Sequence, residues 1–177
     1  MTIGDGTKPP KRRQFAQERH RVSRPLINSR PVVVLCEPMR SGVNLAQIAR
    51  ISASSAVDRM IVCEETRLDP SVSRISSSQL HVERHRTPGP VIQRLKSNGY
   101  RIVAIEQATF SVPLPAYRFD RRSVLVLGNE RLGVTDESLA LADDVVEIPL
   151  NSRPFSMNVG MAACVALYEY CRQFPDG

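Results

Sequence analysis

The sequence predicts an α/β protein: a largely parallel sheet with helices on both faces. Three observations carry this reading. Short runs such as Val32–Cys36, Arg59–Cys63, Val124–Leu127 and Val145–Ile148 are apolar almost throughout, as in strands buried on both sides. Segments of helical spacing separate these runs, the alternation expected of parallel sheets. Two runs, Val124–Leu127 and Val145–Leu150, end in turns crowded with small and hydrogen-bonding residues. In open α/β sheets, ligands bind beyond such carboxyl ends.

Taken in order, Pro31 introduces strand Val32–Cys36, and the turn Glu37-Pro38-Met39-Arg40-Ser41-Gly42 follows. Asn44 stands where an N-cap belongs, with Leu45, Ile48, Ala49 and Ile51 at helical spacing. Arg59–Cys63 is a second strand, and the Ser-rich, charged stretch 64–79 reads as a loop with a short helix. His81–Arg86 alternates as a strand does. Pro88-Gly89-Pro90 starts a helix that Gly99 stops, and Arg101–Glu106 is the next strand. Residues 107–122, with Pro113 and Pro115, read as a connecting loop. Strand Val124–Leu127, a short helix near Asp136–Leu141, strand Val145–Ile148 and a final helix from about Phe155 to Gln173 complete the chain.

At 177 residues the chain fits one domain and buries roughly 70% of its unfolded surface, enough for a core without disulfides. No apolar run reaches the ~20 residues of a membrane span, and the first residues lack the apolar stretch of a secretory signal. The expected location is the cytoplasm. Cys36, Cys63, Cys164 and Cys171 form no paired motif and read as buried thiols. His20, His81 and His85 do not cluster with them, so no metal is expected. The net charge of +6 lies entirely in residues 1–31, with eight basic side chains against two acidic; the remainder is balanced at sixteen of each. This divides the chain into a basic, flexible N-terminal arm drawn to phosphates and a domain over 32–177.

Chemistry concentrates in three segments. Asn44 and Arg50 lie six apart on one helix. Gly128-Asn129-Glu130-x-x-Gly133 follows a buried strand; its glycines allow close backbone approach, and Glu130 calls for a neutralising partner such as an Arg. Ser156-Met157-Asn158-Val159 opens the last helix, with Ser156 as a possible cap and Asn158 offering both donor and acceptor. Gly-x-Gly-x-x-Gly, P-loop and Gly-x-Ser-x-Gly motifs are all missing.

In order and spacing, with Ile148-Pro149-Leu150 ahead of the third segment, these motifs resemble the SpoU (TrmH-like) branch of the SPOUT methyltransferases. That family moves a methyl group from S-adenosylmethionine to a ribose 2′-oxygen in tRNA or rRNA. The likeness runs from Val32 to Arg172, and Met157 stands where the family has Leu. It implies a C-terminal deep trefoil knot, which the small residues Gly160, Ala162 and Ala163 would accommodate. It implies cofactor contacts at Ile105, Gly128, Ile148, Leu150 and Met157, and a homodimer whose active site lies at the subunit interface. By position it gives catalytic roles to Asn44, Arg50, Glu130, Ser156 and Asn158. An Arg with pKa above ~12 is a poor base. Arg50 is therefore expected to clamp the nucleotide's phosphate and polarise the 2′-hydroxyl, with Glu130 holding its guanidinium. Asn44 and Asn158 would orient Arg50 and the ribose, and Ser156 would fix its loop or bond the substrate. The alternative is a non-catalytic RNA-binding or ribosome-assembly protein on the same knotted fold. A flavodoxin-like module binding a phosphorylated small molecule leaves the basic arm unexplained.

Overall fold

The structure, a computed structural model, describes residues 26–63, 67–69, 72, 75, 79–151 and 156–177. Most of the basic arm, most of the stretch 64–79 and part of the third-motif loop thus lie outside the described residues. Among those described, seven strands form one parallel sheet: β1 (Arg30–Cys36), β2 (Val57–Cys63), β3 (His81–His85), β4 (Arg101–Ile105), β5 (Val112–Pro113), β6 (Ser123–Leu127) and β7 (Asp144–Glu147). Their spatial order is β3-β2-β1-β6-β4-β7-β5. Helices α1 (Gly42–Ser54) and α4 (Val159–Gln173) cover one face, and α2 (Pro88–Ser97) and α3 (Asp136–Leu141) cover the other.

The two-residue period of a strand sorts the apolar runs between these layers. Val32, Val34 and Cys36 of β1 face α1 and α4, whereas Val33 and Leu35 face α2 and α3. Both sets are fully buried, which is why the run carries no polar alternation. Leu45, Ile48 and Ala49 of α1 meet Ala163, Ala166 and Leu167 of α4 in the first layer. Each large side chain so buried contributes roughly 1.5–3 kcal/mol. The small residues of α4 let it lie close to its neighbour: a Cβ on Gly160 would fall 2.7 Å from Gln47 Oε1.

Two helix starts differ from expectation, with consequences for the site. Ser41, not Asn44, caps α1, its Oγ accepting from the Asn44 N–H at 3.2 Å. Gly42, the first residue of α1, leaves room for the segment at Arg67, whose carbonyl oxygen a Cβ there would meet at 2.5 Å. Asn158, not Ser156, caps α4, accepting from the N–H groups of Gly160 at 2.9 Å and Met161 at 3.3 Å. The last helix accordingly begins at Val159 rather than near Phe155.

Residues 107–122 contain a two-residue edge strand, β5, and a 3₁₀ turn over Leu114–Ala116 where a plain loop was expected. Pro113 is tolerated because β5 is an edge strand. Cys36 and Cys63 are buried as expected, but Cys164 is exposed and Cys171 half-buried, since the outer side of α4 has no covering element among the described residues. Arg30 belongs to β1 rather than to a free arm. Only 6% exposed, it donates to the carbonyls of Ser55 (3.1 Å), Phe174 and Pro175 (3.4 Å), tying the start of the sheet to the end of α4.

From β1 the chain steps outward to β2 and β3, then returns to lay β4 on the other side, and β6 fills the place between β1 and β4. Chain order reverses at β1, and every strand there points the same way. The loops after β1, β6, β4 and β7 therefore open on one edge of the sheet, where such folds hold their ligands.

Candidate active site

A cavity of about 670 Å³ opens on that edge. Its walls are Ile105–Ala108 after β4, Gly128–Val134 after β6, Ile148 and Leu150 after β7, Ser156–Val159 ahead of α4, and Asn44, Leu139 and Ala162. Every site residue read from the sequence lines it except Arg50.

The three motifs meet through side-chain hydrogen bonds. Asn158 Nδ2 donates to Asn44 Oδ1 at 3.1 Å, and Asn44 Nδ2 donates to Glu130 Oε1 at 3.0 Å. Glu130 Oε1 also accepts the Ser41 N–H, and Oε2 accepts the Arg40 N–H, each at 3.0 Å. Burial raises the Glu130 carboxyl, but the bonds from the Arg40 amide, Asn44 and the Ser41 amide outweigh it and hold the group below the usual carboxylate range. Within the chain, Glu130 is bonded by the turn after β1 and by Asn44, and the Arg50 guanidinium does not reach it. With Oδ1 of Asn158 on the helix amides, each asparagine is held from both ends and keeps one N–H free.

Arg50 is exposed on α1, in a row with Val43, Gln47 and Ser54 that faces outward beside the exposed face of α4. On that face Met161, Val165 and Tyr168 are 65%, 38% and 72% exposed. Nothing on α1 turns Arg50 into its own chain's cavity, because six residues of helix place it on a different side from Asn44.

The loop Gly128–Gly133 is fastened by its own Asn129 and by two carboxylates outside the three motifs, Glu37 and Glu106. Asn129 Nδ2 donates to the Pro38 carbonyl at 2.6 Å, while its Oδ1 accepts from the Arg131 and Leu132 amides at 2.9 and 3.3 Å. Glu37, fully buried, accepts from Thr135 N at 3.0 Å and Thr135 Oγ1 at 2.8 Å. Glu106 accepts from Val134 N at 2.9 Å. The available signal was shared: Glu37 and Glu106 each directly follow an apolar strand, where a carboxylate is costly unless bonded. Gly128 permits the fold of this loop, since a Cβ there would lie 2.2 Å from the Gly133 carbonyl carbon. Gly133 itself has φ +71°.

Among the described residues, no group of His, Cys, Asp and Glu is placed to hold a metal ion. No described helix is long and apolar enough to cross a membrane.

The sequence profile of the SpoU rRNA Methylase family matches residues 31–168. A tRNA (guanosine(18)-2′-O)-methyltransferase from Escherichia coli K12 is 29% identical over 157 residues, covering 86% of this chain and 69% of that protein. The fold matches a TrmH/SpoU tRNA modifying enzyme from Aquifex aeolicus with a TM-score of 0.78 at 24% identity, over 84% of this chain and 77% of that one. It also matches an AdoMet-bound rRNA methyltransferase from Sinorhizobium meliloti, with a TM-score of 0.70 at 25% identity, over 80% and 56%.

Proposed function

The chain belongs to the SpoU rRNA Methylase family, and we propose from that membership that it transfers a methyl group from S-adenosylmethionine to a ribose 2′-oxygen in tRNA or rRNA. The observation that carries the reading is the chain Glu130–Asn44–Asn158. It joins residues 86 and 114 positions apart on one cavity wall. Such fixing of amide groups beside a cavity favours catalysis over mere RNA binding, because positioning alone can supply roughly 7–11 kcal/mol of a transfer barrier.

The residues present fit the cofactor. The loop after β6 lines the cavity, and the cavity volume lies within the range of about 300–1,000 Å³ usual for small-molecule sites. Ile105, Gly128, Ile148, Leu150 and Met157 would hold it. Bound there, S-adenosylmethionine supplies an electrophilic methyl carbon on a positively charged sulfur.

The chain's own groups would then align the ribose. Glu130 fixes the turn before α1 and, through Asn44, sets Asn158. The free N–H of each asparagine and the Ser156 hydroxyl remain to meet the substrate. Arg50 supplies the cation for the nucleotide's phosphate from the second subunit of a homodimer. The exposed stripe Met161, Val165 and Tyr168 beside the Arg50 row supports this, since an apolar face of that kind marks an interaction surface. On the same reading the C-terminal segment threads a loop to form the deep trefoil knot. In support, β6 lies between β1 and β4, and α4 grips the chain leading into β6. Tyr170 Oη donates to the Arg121 carbonyl at 2.6 Å, and Gln173 bonds the Tyr117 carbonyl at 2.9 Å and the Phe119 amide at 3.0 Å. The basic excess of residues 1–31, Arg30 apart, would bind RNA phosphates, and the protein would work in the cytoplasm.

Incubation with methyl-labelled S-adenosylmethionine and unmodified tRNA or rRNA transcripts tests the activity. Label in the RNA is expected; tight cofactor binding with no transfer to either would leave only the RNA-binding alternative.

A further inference from the structure

Among the described residues, Glu106 is the one carboxylate on the cavity wall with no part in the methyl transfer. It follows β4, between the loop after β6 and the segment after β7, and its own N–H donates to the Val146 carbonyl at 3.0 Å. Oε1 accepts the Gln107 N–H and Oε2 the Val134 N–H, each at 2.9 Å. A carboxylate oxygen has two acceptor positions, so each oxygen retains one. Gly133 is shaped around this group: a Cβ there would lie 2.4 Å from Glu106 Oε2.

Glu106 also sits away from the reaction centre. Glu130 ties the glycine loop to the β1 side of β6, whereas Glu106 holds the loop's far end at Val134, on the β4 side. A ligand whose methyl reaches Asn44 and Asn158 therefore meets Glu106 with a more distant part. The same cavity carries apolar residues for a flat ring, Ile105, Leu139 and Ile148 among its lining. Paired acceptors beside an apolar slot match a nucleoside, with hydroxyls for the carboxylate and a base for the slot. Strand-end carboxylates in parallel α/β folds serve ribose hydroxyls in the same way.

We propose that Glu106 binds the vicinal diol of the cofactor's own ribose, one hydroxyl to each carboxylate oxygen, and so selects a ribonucleoside cofactor. This rests on the cavity being the S-adenosylmethionine site. It assigns Glu106 two tasks, fastening Val134 and holding the ligand, and the test has to separate them.

Calorimetry with 5′-methylthioadenosine, its 2′,3′-dideoxy analogue and S-adenosylmethionine does so. Wild type is expected to bind the dideoxy compound at least about tenfold more weakly than 5′-methylthioadenosine, the loss of charge-assisted bonds. Glu106→Gln, which keeps an oxygen for the Val134 amide, is expected to weaken 5′-methylthioadenosine by about tenfold and leave the dideoxy compound unchanged. Equal weakening of both ligands in the variant would reduce Glu106 to a loop fastener and overturn the proposal. So would equal binding of the two by wild type, a comparison that needs no variant to fold. Wild type that binds S-adenosylmethionine but not 5′-methylthioadenosine would overturn it too, whereas binding none of the three would remove the cofactor reading beneath it.

Discussion

Asn44→Ala removes the middle of the chain that joins the three motifs, and its cost follows from two bonds. Asn44 is 9% exposed, so water replaces neither partner fully. The bond to the Glu130 carboxylate is of the charged kind, worth about 1.5–3 kcal/mol, and the bond from Asn158 is neutral, about 1 kcal/mol. Together they predict a loss of about 2.5–4 kcal/mol. For a domain of this size each kcal/mol lowers the melting temperature by about 2–4 °C, giving a fall of roughly 5–15 °C by thermal circular dichroism. Because Asn44 and Glu130 share a bond, Asn44→Ala and Glu130→Ala are expected to couple by about 1–2 kcal/mol in a double-mutant cycle. Melting within about 1 °C of wild type, or losses that add to within ~0.3 kcal/mol, would refute the claim that the motifs are energetically joined.

Other perturbations follow from the same geometry. Arg50→Ala, exposed and outside the cavity, should keep cofactor affinity in calorimetry while turnover falls at least ~100-fold; lost affinity would contradict its assignment. Mixing Arg50→Ala with Glu130→Ala subunits should restore roughly a quarter of wild-type turnover if Arg50 serves the partner's cavity, and nothing if it serves its own. Gly128→Ala forces a Cβ against the Gly133 backbone and should cost about 1–3 kcal/mol in stability along with most cofactor binding, read by melting and calorimetry. Asp144 is held below its usual range by Arg101, against the effect of burial and with help from Tyr117. Its contribution is therefore present above the ordinary carboxylate pKa and lost as pH falls through the depressed value. Asp144→Asn should lower stability at pH 7 and flatten that acid limb in unfolding curves.

The layered sheet was legible because its strands are buried on both faces, so Val32–Cys36 and Val124–Leu127 announce themselves as unbroken apolar runs. The cavity was legible because its glycines and asparagines sit at strand ends and a helix start. Which side chain caps which helix was not. Asn44 and Asn158 each follow a serine by two or three residues, yet the serine caps α1 and the asparagine caps α4. The bonds that Glu130 receives from the turn after β1 were not legible either, because backbone amides leave no mark in a sequence. Glu37 and Glu106 were hidden because a single acid after a strand looks solvated until the loop that bonds it is in place.

The central claim is that this cavity presents a methyl group to a ribose hydroxyl, not to a base. Nuclease digestion of labelled RNA followed by mass spectrometry of the nucleosides tests it most directly. The account predicts that the added methyl stays with the ribose fragment and leaves the neighbouring phosphodiester resistant to alkali. A methyl retained on the base would contradict it.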